Sequence, residues 1–387
     1  MSLPSSPWRL KGLAQPHQAI PLGNGLWRGP ISSEEQRKSL GEFGLQVHKM
    51  LPDGSAAYFL GSKFFADHSI RPTRAELDRM DIGSARWISA RIHLGLRAFQ
   101  KTPAPVSWMA VLNLTPDSFS DGGDLLNSDM DVAKTPLSQA AELAASQGAS
   151  WLDLGAESTR PGAQPIAPKL QLQRLIPAIE TLLPIGVPIS IDTRSPEVAS
   201  ECLKVGASMI NDISGLADPR LAEVCAKAQC PTVLMHMRGT PATMQGLCQY
   251  EHLLGEVADE LAISISKGLE AGMKAKNIVL DPGIGFAKTA QQNLELMAQV
   301  GAFRALGFPL LVGPSRKSFL APLIPGKEDA ERDCGSAGAA ASCAMQGVAI
   351  LRLHQGTYWD AVHVAGQIAA TRTQQPDSTA SSSIPTA

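Results

Sequence analysis

Polar groups able to do chemistry recur at eight places between Val106 and His354, each closing an apolar run rich in Val, Ile and Leu. They are Asn113, Glu157–Arg160, Asp192, Asn211, His236, Asp281, Ser315–Lys317 and Arg352–His354. Brought together, these carboxylates, amides, histidines and cations would make an enzyme site. Singly, each has an ordinary reading. An Asp before Pro-Gly, as Asp281 is, caps turns as readily as it binds ligands, and Lys317 alone reads as a solvated surface lysine. A shared location is what would turn them into a site. One stretch, Asn113-Leu114-Thr115-Pro116-Asp117-Ser118-Phe119-Ser120-Asp121-Gly122-Gly123, is dense in small polar residues and glycine. Such a loop can fold over a ligand, and its Asp117 and Asp121 could steady Mg²⁺ or cap turns.

The elements that would position these groups follow from the spacing. A parallel (β/α)8 TIM barrel gathers the carboxyl ends of its strands around one mouth. Candidate strands are Trp108–Leu112, Ser150–Leu154, Pro188–Ile191, Met209–Asn211, Thr232–Met235, Asn277–Leu280, Pro309–Val312 and Ala349–Leu353. Between the first two, Leu137–Gln147 carries Ala140, Ala141, Leu143 and Ala144 at a helical period. Pro196 and Pro219 suit helix first turns, where a missing N–H is harmless. An open doubly wound sheet is the rival, but it places its ligand at one switch point, whereas here every strand end is polar.

The remaining features set limits. The chain has 387 residues, a net charge of -2 and six cysteines without Cys-x-x-Cys spacing. Neither a nucleic-acid partner nor a membrane surface is expected from that charge, and free thiols in a reducing, cytoplasmic compartment are. No apolar run reaches the roughly 20 residues of a membrane span. Residues 1–105 form an N-terminal extension, mildly basic against an acidic remainder, of α+β or mostly helical character. Its first 31 residues read as extended, with a turn at Gly23-Asn24-Gly25, a helix start at Ser32 and helical spacing from Arg74 to Phe99. The barrel occupies 106–372, and 373–387 read as a disordered tail rich in Ser, Thr, Gln and Pro.

The long polar loop and seven further segments resemble the dihydropteroate synthases, a family of pterin-binding enzymes. The segments are Gly155-Ala156-Glu157-Ser158-Thr159-Arg160-Pro161-Gly162, Ser190-Ile191-Asp192-Thr193-Arg194, Ile210-Asn211-Asp212-Ile213, Met235-His236-Met237-Arg238-Gly239-Thr240-Pro241, Leu280-Asp281-Pro282-Gly283-Ile284-Gly285-Phe286, Val312-Gly313-Pro314-Ser315-Arg316-Lys317-Ser318 and Leu351-Arg352-Leu353-His354. The resemblance covers the barrel and not residues 1–105. It implies a transferase that condenses 6-hydroxymethyl-7,8-dihydropterin diphosphate with 4-aminobenzoate, and a homodimer.

That resemblance also implies roles. Asp192, Asn211, Asp281 and Lys317 would read the polar edge of the pterin, since rejecting look-alikes requires buried partners of opposite hydrogen-bonding sense. Met235, Ile213 and Phe286 would wall a flat slot. Arg352 and His354, two apart and so on one face of a strand, would hold the diphosphate with Thr159, and Lys317, Arg352 and His354 would carry the catalysis. Asn113 would bind Mg²⁺. Phe119, Arg160 and Pro161 would hold the 4-aminobenzoate ring, and Ser318 at a helix start its carboxylate, while Asp117 and Ser118 close the first loop. Three positions depart from the family form: Ala156 replaces a glycine, Pro314 precedes Ser-Arg-Lys-Ser, and Gln355 stands where an Asp follows the histidine. They leave room for a paralogue of low activity. A methyltetrahydrofolate-dependent methyltransferase is a further alternative, though it has no use for the first loop or for Ser315-Arg316-Lys317-Ser318.

Overall fold

The computed structural model describes residues 20–23, 26–30, 45–50, 55–60, 106–116, 125–127, 129–251, 253–306, 308–324, 329–354 and 358–371. The expected helices at Ser32 and Arg74–Phe99, the tail from Thr373, the loop residues Asp117, Ser118, Phe119 and Asp121, and Gln355 lie outside them.

Four strands precede the expected barrel: β1 (Ile20–Gly23), β2 (Leu26–Pro30), β3 (Leu45–Met50) and β4 (Ser55–Leu60). They form an antiparallel sheet in the order β1-β2-β4-β3. Only the extended character of the first pair was expected. A signal for the second was present: Pro52-Asp53-Gly54, between β3 and β4 in sequence, is a turn tripeptide with a mechanism.

Eight parallel strands follow: β5 (Ser107–Asn113), β6 (Trp151–Gly155), β7 (Ile189–Asp192), β8 (Met209–Asp212), β9 (Thr232–Met235), β10 (Ile278–Asp281), β11 (Leu311–Val312) and β12 (Ile350–Leu353). Their order is β10-β9-β8-β7-β6-β5-β12-β11. A bridge between Leu280 and Leu310 joins the two outer strands, and Leu280 N–H donates to Pro309 O at 2.9 Å. The sheet thus curls round into a barrel. The last closure is short because Pro309 has no N–H to add to the ladder.

Strand alternation divides the side chains. Trp108, Ala110 and Leu112 of β5 pack outward in the main core, whereas Met109 points into the barrel with Met209, Val233, Val279, Leu311 and Ile350. This apolar plug closes the amino-terminal end, and polar side chains begin one inward position further along the strands.

Eight α-helices among the described residues cover the outside: α1 (Lys134–Ser146), α2 (Pro168–Leu182), α3 (Pro196–Val205), α4 (Pro219–Ala228), α5 (Leu253–Glu270), α6 (Ala290–Ala298), α7 (Asp329–Met345) and α8 (Trp359–Thr371). Pro196 and Pro219 open α3 and α4, capped by the side chains of Ser195 and Asp218. In α1, Leu137, Ala141 and Ala144 are buried. Leu143, read as part of that stripe, is 51% exposed. Six residues at about 100° each place it well off the face of Leu137. No helix among the described residues is long and apolar enough to cross a membrane.

Candidate active site

The register sets the mouth. Asn113 of β5 lies beside Gly155 of β6, Gly155 beside Asp192 of β7, and Asp192 beside Asn211 of β8. Across the barrel, β10 ends at Asp281 and β12 carries Arg352. Gly155 matters by what it lacks. A Cβ there would meet Asp192 Cβ at 3.5 Å, Asn113 Oδ1 at 3.7 Å and Asp192 Oδ2 at 3.8 Å. The missing side chain lets Asn113 and Asp192 face one space.

Arg352 is the hub. Its Nε donates to Asp153 Oδ2 at 2.6 Å and its Nη2 to Asp192 Oδ2 at 3.0 Å. Asn211 Nδ2 donates to the same Asp153 oxygen at 3.3 Å. Asp153 is not among the residues expected from the sequence, which stand at strand ends or beyond them. It sits in mid-strand, fully buried, and the available signal was an acid inside the apolar run Trp151-Leu152-Asp153-Leu154. Its Oδ1 and the hydroxyl of Ser190, its register neighbour on β7, have no hydrogen-bond partner among the described residues.

Charge balance follows from burial. Burial pushes the Asp192 carboxyl up to about 7, with Arg352 opposing. It pushes Asp281 up to about 6, opposed by the Gly283 N–H and by Lys317, Lys288 and Arg352. Burial also draws Lys317 down to about 8, aided by Arg352 and offset by Asp281 and Asp192. The Arg352 pKa rises, because Asp153 and Asp192 outweigh the burial that works against its charge. Acids and cations held this way limit a desolvation cost that separated charges would not bear.

Beside them lies an apolar wall. Ile213, Met235, Met244, Phe286 and Ala287 form one cluster, with Met237 packed against it, and Lys317 Nζ stands 4.5 Å from the Phe286 ring centroid. The wall residues expected from the sequence are together, and Met244 joins them.

His354 Nδ1 and the Ser315 hydroxyl are 3.0 Å apart, and Ser315 shares a further hydrogen bond with Tyr358 at 2.9 Å. Nδ1 is thereby occupied and Nε2 remains for a ligand. Burial, and then Arg352, Arg316, Lys317 and Arg160, hold the His354 pKa down at about 3. The site therefore presents a neutral imidazole.

The second loop begins at Ala156. Thr159 and Arg160 are half-buried and Pro161 exposed. Gly162 N–H donates to Pro241 O at 2.9 Å, linking this loop to the one after β9. Arg174 of α2 donates to Leu114 O and Ala156 O, both at 3.2 Å, and so ties the roots of the first two loops. Ala156 is not among the residues with positive φ, so an alanine sits there without backbone strain.

One expectation needs correction. His236 does not join the mouth. Met235 before it faces the slot, so the next side chain turns outward, where His236 Nε2 lies 3.0 Å from Glu260 Oε2 of α5 and Nδ1 lies 2.9 Å from Lys288 Nζ. Ser318 is exposed and opens a six-residue 3₁₀ helix, Ser318–Leu323. So short an element has little dipole to offer an anion, which leaves the Ser318 hydroxyl itself as the donor there.

Among the described residues no group of three or more His, Cys, Asp or Glu could hold a metal. A diphosphate-bound Mg²⁺ needs only one or two protein oxygens. Asn113, with its amide oxygen over the gap at Gly155, fits that sparse donor set.

The geometry agrees with what the chain resembles. The family described as pterin binding enzyme matches residues 109–354. Dihydropteroate synthase from Synechocystis is 44% identical over 248 residues, covering 64% of this chain and 84% of the relative. The Yersinia pestis dihydropteroate synthase, solved with a sulfonamide drug complex, superposes with a TM-score of 0.64 at 37% identity, over 70% of this chain and 95% of that one. The Thermus thermophilus enzyme in complex with 4-aminobenzoate has a TM-score of 0.59 at 38% identity, over 68% and 94%. The chain belongs to the pterin-binding enzymes, among the dihydropteroate synthases.

Proposed function

We propose that this mouth binds 6-hydroxymethyl-7,8-dihydropterin diphosphate and 4-aminobenzoate and joins them into 7,8-dihydropteroate with release of pyrophosphate, the transferase step of folate biosynthesis. The observation that carries the reading is the Arg352–Asp153–Asp192–Asn211 network. It presents paired acceptors and donors beside an apolar wall.

Asp281 accepts from the pterin amino group and ring N–H through the oxygen not engaged by Gly283, whose N–H donates to Oδ1 at 2.7 Å. Asp192 and Asn211 take the remaining edge, and Lys317 donates to the carbonyl and a ring nitrogen. Arg352, His354 and Thr159 hold the diphosphate. The bond from the exocyclic methylene to the diphosphate oxygen breaks with its electron pair leaving on oxygen. The electron-rich pterin carries the resulting positive charge, and the aniline nitrogen then forms the new C–N bond and sheds a proton. Catalysis is electrostatic: donors already in place meet charge as it develops on the leaving group. Mg²⁺, held through Asn113, would neutralise the diphosphate. Phe119, Arg160, Pro161 and Ser318 hold the 4-aminobenzoate, and Asp117 and Ser118 close the first loop, excluding water from the cation.

Two further readings belong with this one. A homodimer is what the family resemblance implies. A cytoplasmic compartment fits six free cysteines.

The test is one assay. Purified protein with Mg²⁺ and both substrates should release pyrophosphate and dihydropteroate in equal amounts. Binding of the pterin diphosphate without release would support a non-catalytic paralogue instead.

A further inference from the structure

Behind the apolar wall lies a second polar network. Lys288 follows the Asp281–Phe286 turn and is buried. Its Nζ donates to Gly283 O at 3.1 Å, to Phe286 O at 3.0 Å and to His236 Nδ1 at 2.9 Å. An ammonium has three donors, and all three are used. Because Nδ1 accepts, the His236 proton sits on Nε2 and is given to Glu260 Oε2 at 3.0 Å. Arg238 completes the chain, bonding Glu260 and Glu256 and lying 3.9 Å from the Tyr250 ring centroid.

Two of these contacts, from Lys288 to the carbonyls of Gly283 and Phe286, fall on the turn that carries the pterin-reading groups. His236 N–H donates to Asp281 O at 2.8 Å. Gly283, at φ +71°, lies so close to this strand end that a Cβ would meet His236 O at 1.9 Å. Between Gly283 and Phe286 the chain reverses, and the two carbonyls held by Lys288 are the ends of that reversal. We infer that Lys288 is a positioning residue for pterin recognition: its ammonium pins the turn that aims Asp281 and sets the Phe286 ring. This deepens the proposed pterin site and rests on that assignment.

The electrostatics agree. The charged groups acting on Asp281 are Lys317, Lys288 and Arg352, all of which favour its anion against burial; Cys343 of α7 is the remaining titratable neighbour and is held protonated, first by burial. Acting on Lys288 are Asp281, Glu260 and Cys248, which favour its charge, and Arg238, which opposes it. Burial draws the Lys288 pKa down to about 7 and the His236 pKa down to about 4. Lys288 is therefore charged, and His236 neutral, over the range near pH 6 in which Asp281 titrates. Loss of the ammonium lets the Asp281 pKa rise, and the protonated acid cannot accept from two pterin N–H groups.

The experiment uses the full chain with K288M, K288Q and E260Q. K288M removes charge and donors; K288Q keeps a donor for the carbonyls. In K288M the KM for pterin diphosphate should rise about tenfold or more, with kcat and the KM for 4-aminobenzoate within about threefold. The acid limb of kcat/KM for the pterin should move to higher pH by about half a unit or more. K288Q should shift the limb as far but raise KM less. E260Q, altered at a partly exposed carboxylate that leaves the packing of the turn intact, should shift the limb the same way by less, because Lys288 then loses its proton more easily. Folded variants with lower Tm but wild-type pterin KM and an unmoved limb would overturn the inference; should both Lys288 variants fail to fold, an unmoved limb in E260Q overturns it. Calorimetric titration with pterin diphosphate reads the same affinities without turnover. A wild-type chain that binds but does not react would then count against the proposed reaction alone.

Discussion

The inside of the barrel has two layers drawn from the same strands, and they differ in almost every physical respect. Met109, Met209, Val233, Val279, Leu311 and Ile350 form the lower one. Two residues further along β8, β10 and β12 stand Asn211, Asp281 and Arg352, and Asp153 stands two beyond Trp151 on β6. The lower layer brings stability, each buried side chain contributing roughly 1.5–3 kcal/mol. The upper layer opposes folding through desolvation and is tolerable only because its charges are paired. The contrast teaches that one inward step along a strand separates the part that holds the barrel shut from the part that reads a ligand.

Substitutions in the two layers should therefore fail differently. The largest effect is expected from Asp281→Ala, which leaves the pterin edge unmatched. Pterin binding should vanish, with kcat/KM down on the order of 10³-fold or more in steady-state assays; normal turnover would refute the pocket. Asp153→Ala comes next. It strips Arg352 of its shortest partner and should lower kcat/KM about a hundredfold while costing about 3 kcal/mol in urea unfolding, so it should blur the two layers where Asp281→Ala separates them.

Acid comes third. Asp281 and Asp192 titrate at about 6 and about 7, above the ordinary carboxylate range, because burial disfavours their anions. Each must be ionised to accept from the pterin, so affinity is full above these values and falls as pH drops through them. Calorimetry between pH 8 and 5 should show a loss of about tenfold or more, and a flat profile would mean that neither carboxylate faces the ligand. In the lower layer, Met109→Ala should leave KM for both substrates within about twofold yet cost about 2–5 kcal/mol of stability. Least of all, Leu143→Glu on the exposed side of α1 should change stability by no more than about 0.5 kcal/mol.

Much of this architecture was readable in advance. The strand expectations fell within a residue or two of β5 to β12, because an apolar run ended by a polar or glycine-rich stretch is a strong pattern when repeated. Asp192, Asn211, Asp281, Lys317 and Arg352 were all singled out by standing at those ends. Asp153 was not, since an acid inside a strand has no local signature of function. His236 was assigned to the mouth because a strand end does not reveal which way its last side chain turns. Lys288 passed unnoticed for a related reason: a lysine after Gly-Phe-Ala looks like any surface lysine until three acceptors surround it.

From the order of residues alone came the alternation of apolar runs and helices, the side of the barrel on which a ligand must lie, and the motifs that resemble a pterin-binding family. These depend on near neighbours in the chain, where periodicity and turn chemistry act. Which polar atoms meet was decided by the folded barrel. Arg352 reaches Asp153 and Asp192 across 199 and 160 residues of chain, a pairing that exists because β12 lies beside β5 and the curled sheet brings β6 and β7 within a guanidinium's reach. Partners in a buried charge network are chosen by distance in space, and the spacing of letters carries no measure of that.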